Sequence, residues 1–287
     1  MLEAALPHLR CPHCGSALVL DAGSLLCSAG HAFDVARQGY VSLLGPRAPA
    51  APGDSARMVA AREAFLSAGH FDPVTSAVAA SCGRALAGGA AAGCVVELGA
   101  GTAHHLASVV EGQPGRAGVA LDVSKPALRR AARAHPRVGA VGCDVWGPLP
   151  LRDATAAAVL GIFAPRNPAE TARVLAPGGV LVSAFPGRRH LEGLAEPLGL
   201  LGVGESKEER LGAALAARFE PPVVADVEYR LSLSRAGAAA LAAMGPSARH
   251  VSAGAVAERT AALPEPVEVL VSVRVAASRL AGGERAR

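Results

Sequence analysis

The stretch "VVELGAGTAHH", Val95 to His105, decides how this chain is read. Val95, Val96 and Leu98 make a short apolar strand, Gly99-Ala100-Gly101 a loop with almost no side chain, and the residues from about Ala103 a helix. Glycines at such a turn let the backbone pass close to a ligand, and the helix start offers it unpaired N–H groups. Asp122 closes the next apolar run in "ALDVS", where a carboxylate can accept both hydroxyl hydrogens of a ribose. The loop and this aspartate together read as an adenosine site, with ordinary strand-end capping as the plainer alternative for Asp122 and for Asp144 at the end of the third strand.

A nicotinamide dinucleotide would want G-x-G-x-x-G, but His104 stands where the third glycine belongs and is too bulky for the close helix packing that glycine permits. Glu97 before the loop and Asp144 in "GCDVW" stand where class I methyltransferases place polar groups for the methionine and adenine parts of S-adenosylmethionine. The flanking rhythm agrees. "AGVALDV" runs into "KPALRRAARAH", then come "VGAVGCDV", "AAAVLGIFA", a helix over "PAETARVL", and "GGVLVSAF". Short apolar strands alternating with helices predict an α/β fold, a parallel sheet with helices on both faces. "PPVVADVEYRLSLS" and "PEPVEVLVSVRVAAS" alternate over longer spans around one helical piece and predict an antiparallel pair at the sheet edge.

Upstream, "CPHCGSALVLDAGSLLCSAGH" spaces Cys11, Cys14, Cys27 and His31 as C-x2-C-x12-C-x3-H. Two ligand pairs a dozen residues apart can close a tetrahedron of three thiolates and one imidazole, leaving no open position for chemistry, so a bound zinc would be structural. His13 is a competing ligand. Whether such a module binds nucleic acid or only braces the fold stays open. The other cysteines, Cys82, Cys94 and Cys143, are scattered and make no disulfide framework. The linker "GPRAPAAPGDS" follows, then a helix over "DSARMVAAREAFLSAG", with Asp54 or Ser55 as N-cap and Gly69 as its stop. The expected organisation is a zinc-binding module over 1–45, linker and helix over 46–84, and the main domain over 85–287.

The 28 basic and 24 acidic residues leave a net charge of +4, which permits a nucleic-acid partner without demanding one. All but two of the basic residues are arginines, Lys125 and Lys207 being the exceptions. No run of eighteen uncharged apolar residues predicts a membrane span, and the N-terminal residues lack a secretory pattern, so the expected location is the cytoplasm. Neither a G-x-S-x-G elbow nor a G-x-x-x-x-G-K-[ST] loop is present.

Taken together, the zinc cluster, "HAFDVARQGYVSLL", "PGDS" with "MVAAREAFLSAGHF", "ELGAGTAHH", "LDVSKPALRRAARAHP", "FAPRNPAE" with "LAPGG", and "PGRRHL" resemble the bacterial large-subunit (23S) rRNA guanine-N1 methyltransferases over nearly the whole chain. The stretches "VARQGYV", "APRNP" and "AMGPS" resemble most closely the macrolide (tylosin-type) resistance branch. The resemblance implies a class I S-adenosylmethionine-dependent methyltransferase domain of Rossmann-like fold behind a small N-terminal zinc-binding domain. It implies methylation of guanine N1 in an rRNA hairpin loop, a homodimer, and Cys11, Cys14, Cys27 and His31 as zinc ligands. It further implies that Gly101 and Thr102 touch the cofactor, with Glu97, Gly99, Asp122 and Asp144 around it. Phe71 stands where the family carries a cofactor-contacting aromatic, often tyrosine, and His190 matches a histidine near the same cofactor. The plainer alternatives are a core role for Phe71 and a solvated surface for His190. Phe163 or Pro165 is placed to stack on the target base and Arg166 to hold a phosphate, while Lys125, Arg129, Arg130, Arg133 and Arg137 read first as a solvated helix face. No side chain announces itself as a general base. A non-catalytic zinc-dependent RNA-binding protein and a small-molecule methyltransferase remain the rival readings.

Overall fold

A computed structural model describes residues 2–45, 53–87, 92–165, 167–200 and 215–281. The strand expected before the glycine loop is β5 (Cys94–Leu98), buried along its whole length. Around it lie β6 (Gly118–Asp122), β7 (Val138–Gly142), β8 (Ala156–Ile162) and β9 (Leu175–Pro186), and the edge pair is β10 (Val223–Leu233) with β11 (Val267–Arg279). With the two-residue β4 (Val41–Ser42), the order is β10-β11-β9-β8-β5-β6-β7-β4. β4 through β9 run parallel, and β11 is antiparallel to both β9 and β10. From β5 the chain winds outward through β6 and β7, then returns to the other side at β8. A crevice therefore opens at the carboxyl ends of β5 and β8, where doubly wound sheets hold their ligands.

Side chains alternate across the sheet, so its two faces enter two cores: Val95 points into one, Val96 and Leu98 into the other. The first face is helical. It carries α3 (Asp72–Ala87) through Val74, Val78, Cys82 and Leu86, α4 (His104–Glu111) through Leu106, Val109 and Val110, and α5 (Lys125–Ala131) through Leu128. The second face meets the expectation of helices on both sides only in part. It is covered by α1 (Leu2–Ala5), by Leu9 and the zinc module's Leu18 and Leu25, and by the end of α6 (Pro168–Val174). The reason lies in "DVWGPLPLRD" between β7 and β8, where Pro148 and Pro150 interrupt any helix. The N-terminal chain docks on that segment instead. Leu9 bridges Leu151, Arg10 N–H donates to the Pro150 carbonyl at 3.0 Å, and Arg152 N–H donates to the His8 carbonyl at 2.9 Å.

The module itself is a three-stranded antiparallel sheet of β1 (Leu18–Asp21), β2 (Ser24–Cys27) and β3 (Ala32–Asp34). Of the two N-cap candidates before α2 (Ala56–Ser67), Ser55 is the one used: its hydroxyl accepts from Met58 N–H at 3.3 Å. Residues 46–52 of the expected linker lie outside the described residues, and its end is docked, because Gly53 packs against Ser124 so closely that a Cβ would sit 2.7 Å from the Ser124 Cα. The single helical piece expected between β10 and β11 is two helices, α8 (Arg235–Met244) and α9 (Ala253–Ala261), joined by a 3-10 turn, Pro246–Arg249. α7 (Ala195–Leu198) precedes them, and α8 packs along α2.

Candidate functional site

Cys11 and Cys14 sit in the turn before β1, Cys27 ends β2 and His31 precedes β3, so a hairpin and two tight turns bring the four together. Their ligand atoms lie within 4.8 Å of one another. Cys14 and Cys27 Sγ are 3.6 Å apart, and His31 Nδ1 stands 3.3 Å from Cys27 Sγ and 3.6 Å from Cys11 Sγ. A tetrahedron with Zn–S near 2.3 Å and Zn–N near 2.0 Å has edges of about 3.5–3.8 Å, so the donor set fits zinc. Hydrogen bonds from the Ser16 hydroxyl and backbone hold the Cys14 thiol down, to about 6, which favours the thiolate a metal needs. His13 is not one of the four: its ring stacks on Phe33, with centroids 5.7 Å apart.

At the glycine loop, Gly99 has φ +60° and Gly101 φ +55°, conformations that L side chains rarely adopt. Ala103 is also left-handed and caps α4 without a side-chain bond, so the loop is held by two carboxyl groups. Glu97 Oε2 accepts from Leu106 N–H at 3.2 Å, and Asp122 accepts from Gly101 N–H and Ser124 N–H, both at 2.8 Å. Burial pushes the Glu97 carboxyl up to about 8, against the pull of the Leu106 N–H. Burial likewise raises Asp122. Each carboxylate oxygen has a second lone pair, so Asp122 keeps acceptor capacity for a ribose. The bare face of Gly99 rests against the end of β8, with a Cβ there falling 3.1 Å from the Ala164 Cβ. Thr102 is buried beside this loop. Two bare glycines, a strand-end carboxylate and an uncapped helix start together fit the adenosyl and aminoacyl parts of S-adenosylmethionine.

Phe71 and His190, far apart in sequence, meet beside that crevice. Phe71 is buried, edge-on to Phe65 at 5.2 Å, and lies 6.2 Å from Phe163 and 6.4 Å from His190. His190 and Phe163 stack, with centroids 5.9 Å apart and ring planes 23° apart. Ser272 N–H donates to His190 Nδ1 at 3.3 Å, and burial pushes this ring down to about 4. His190 is therefore neutral, with its proton on Nε2 by hydrogen-bond inference. Phe163 is 43% exposed and held at φ +52°, strain of the kind that collects at binding sites. Below the loop, His105 Nδ1 lies 2.9 Å from the Thr75 hydroxyl, which spends its own hydrogen on the Phe71 carbonyl at 3.1 Å. His105 is buried and driven down to about 3 by that burial.

Other expected residues lie further out. Asp144 falls just past β7, where Oδ1 accepts from Trp146 N–H at 3.0 Å. Trp146 is 54% exposed, and its carbonyl accepts from the Asn167 side chain. Arg166 lies outside the described residues. The arginine row expected on one helix face divides, because α5 ends at Ala131: Arg130 on it pairs with Glu63 at 3.4 Å, whereas Arg137, just before β7, donates to the carbonyls of Val110, Gln113 and Arg116 and so braces the end of α4. A cleft of about 590 Å³ on the helical face includes Thr102, His104, Asp72, Arg130 and Arg133, but none of Gly99, Gly101, Asp122 or Asp144. The residue that sequence reasoning passed over is Arg62 of α2, whose Nη1 would stand 3.1 Å from a Cβ on Gly101.

A sheet ordered β7-β6-β5-β8-β9-β11-β10 and edged by β4, with this loop after β5 and a Cys3His ribbon in front, defines a class I S-adenosylmethionine-dependent methyltransferase with a zinc ribbon. The family model described as RlmA, N-terminal, a zinc ribbon, matches residues 9–47. A protein of Micromonospora griseorubida carrying the name 23S rRNA (guanine-N(1)-)-methyltransferase is 50% identical, covering 96% of this chain and 98% of that one. The 23S rRNA (guanine(748)-N(1))-methyltransferase of Streptomyces fradiae is 47% identical over 95% of this chain and 97% of its own. A solved S-adenosylmethionine-dependent methyltransferase from Geobacter sulfurreducens, in complex with S-adenosylhomocysteine, is 19% identical with a TM-score of 0.44, over 72% of this chain and 92% of that one. This chain belongs to the 23S rRNA guanine-N1 methyltransferase family.

Proposed function

We propose that this protein methylates N1 of a guanine in a hairpin loop of 23S rRNA, at the position equivalent to 748, and that the modification protects the ribosome from a macrolide. The observation that carries the reaction is the crevice where Gly99, Gly101 and Asp122 meet Phe163 and His190, reached behind a zinc ribbon that shares the core of the sheet. The 47% identity to the guanine-748 enzyme supports the position, and "VARQGYV", "APRNP" and "AMGPS" support the resistance branch.

Bound at the loop, S-adenosylmethionine would supply an activated sulfonium methyl to guanine N1 once that nitrogen has given up its proton, the C–S bond breaking as the C–N bond forms and S-adenosylhomocysteine leaving. The protein's part is to set the two atoms in line and keep water out. Glu97, Gly99, Gly101, Thr102 and Asp122 hold the donor, with Asp144 at its adenine end and Phe71 and His190 against its reactive end. Exposed Phe163 offers a flat apolar surface on which a base drawn out of its stack can rest. The ribbon and the strand-end face contact the RNA, and the working form is a cytoplasmic homodimer. Among the described residues no helix is long and apolar enough to cross a membrane.

Primer extension on 23S rRNA from cells with and without the gene tests this reading. A methyl on N1 blocks pairing, so reverse transcriptase should stop one nucleotide before the target only when the gene is present. An unchanged extension pattern, with tight RNA binding, favours the non-catalytic reading. Retained activity on small acceptors after removal of the ribbon favours the small-molecule one.

A further inference from the structure

Around the glycine loop the structure sets two carboxyl groups, Glu97 and Asp122, and two histidines that burial keeps from charging, His104 and His105. The aminoacyl end of the methyl donor carries an ammonium and a carboxylate. Asp122 and the Glu97 carboxyl offer acceptors for the ribose hydroxyls and the ammonium, and none of the four groups supplies a positive charge for the carboxylate. A cation is needed, and among the described residues Arg62 is the one laid against the loop.

Its place is tightly specified. Arg62 Nη1 pairs with Asp54 Oδ2 at 2.7 Å, and Nη2 donates to the Met244 carbonyl at 2.7 Å. Asp54 is fixed in turn: its carbonyl accepts from the Ser124 hydroxyl at 2.7 Å, and its other carboxylate oxygen pairs with Arg249 at 2.9 Å. The Arg62 side chain is only 25% exposed. The bond to Met244 uses one of the two hydrogens on Nη2, and Nη1 meets Asp54 as an ion pair, so the guanidinium keeps N–H donors for a further acceptor. Nη1 also lies against the bare face of Gly101, a residue whose φ and missing Cβ both admit it.

We infer that Arg62 binds the α-carboxylate of the methyl donor, held ready by Asp54 and by the Met244 carbonyl at the end of α8. The inference rests on the methyl-donor reading of the loop. It makes α2 part of the binding site, and through Met244 and Arg249 it ties the insertion between β10 and β11 to the donor. A planar guanidinium already fixed by a partner loses little freedom when it takes a carboxylate.

Calorimetric titration of the full-length, zinc-loaded protein tests it, with S-adenosylhomocysteine and S-adenosyl-3-thiopropylamine, the same molecule without its carboxylate. The native protein should prefer S-adenosylhomocysteine by about 10- to 100-fold. Arg62→Gln keeps an N–H for the Met244 carbonyl but no charge. It should weaken S-adenosylhomocysteine by about that factor and leave the amine analogue unchanged, so the preference disappears. Arg62→Lys, which keeps the charge beside Asp54, should retain part of it. Equal weakening of both ligands by Arg62→Gln would make Arg62 a brace between α2 and α8 and overturn the inference. So would a native protein that binds both ligands equally. Binding of neither ligand by the native protein would instead remove the methyl-donor reading and this inference with it.

Discussion

The two faces of the central sheet are closed by different physics. On one, α3, α4 and α5 lay amphipathic stripes over Val95, Ala120 and Leu160, the arrangement expected of any strand-helix-strand chain. On the other, where no helix intervenes between β7 and β8, a short N-terminal segment and a metal-gathering ribbon cover Val96, Val119 and Val141. The ribbon contributes few apolar residues of its own, so its hold on that face depends on the four ligands. One face is stabilised by area alone, and the other by area that exists only while a metal-sized cluster is closed.

The comparison is broken most forcefully at the metal. Cys11→Ser, or exhaustive chelation, should release zinc, lower the melting temperature by roughly 10 °C or more, and expose the second face to dye binding. A calorimetric trace unchanged apart from a small separate transition would mean that the ribbon is an independent appendage. The next effect concerns whether the faces unfold together. Leu9 and Leu106 are both fully buried, one on each face, and truncation of either to alanine should cost about 2–5 kcal/mol in the same denaturant transition. If Leu9→Ala leaves the main transition in place, the two faces are separate units.

A smaller effect separates them by pH. Glu97 has an ordinary value of 4.5 and a folded one of about 8, so the folded state keeps a proton that the unfolded chain has released. Its contribution is complete below 4.5 and declines as pH rises through 8. His105 runs the other way, from 6.5 down to about 3: its contribution is complete above 6.5 and is lost as pH falls. The two oppose each other below 6.5, and above it Glu97 acts without His105. Between pH 6.5 and 8 the native melting temperature should therefore drift down, and Glu97→Gln should flatten the drift. The smallest effect is at the seam, where Arg10 and Asp153 pair at 3.3 Å with Asp153 largely exposed. Arg10→Ala should change stability by no more than about 0.5 kcal/mol in chemical denaturation, and salt should erase even that.

Much of this was legible in the residues, because the signals were local. Cys11, Cys14, Cys27 and His31 reach one point through short turns, and strand, glycine loop and helix follow one another without a gap. Glu97 and Asp122 stand at strand ends as expected, and the antiparallel pair announced itself by its length. What escaped depends on contacts distant in sequence. α3 was not foreseen although Val74, Val78, Cys82 and Leu86 recur every fourth residue, because alanines and serines between them dilute the contrast. The second face was misjudged because nothing in the composition of Leu2 or Leu9 says which strands they will cover. Arg62 looked like any helix-surface arginine, and only the fold sets it against Gly101.

β4 has a consequence for how the chain is assembled. Its two residues pair with Val141 and Gly142, about a hundred positions later. During synthesis the ribbon can gather its metal early, yet its oily underside and this outermost strand must wait for the third parallel strand to leave the ribosome. Long-range pairing of this kind is slow to form. Until it does, the nascent N-terminus carries a sticky patch, and early metal capture keeps that patch small.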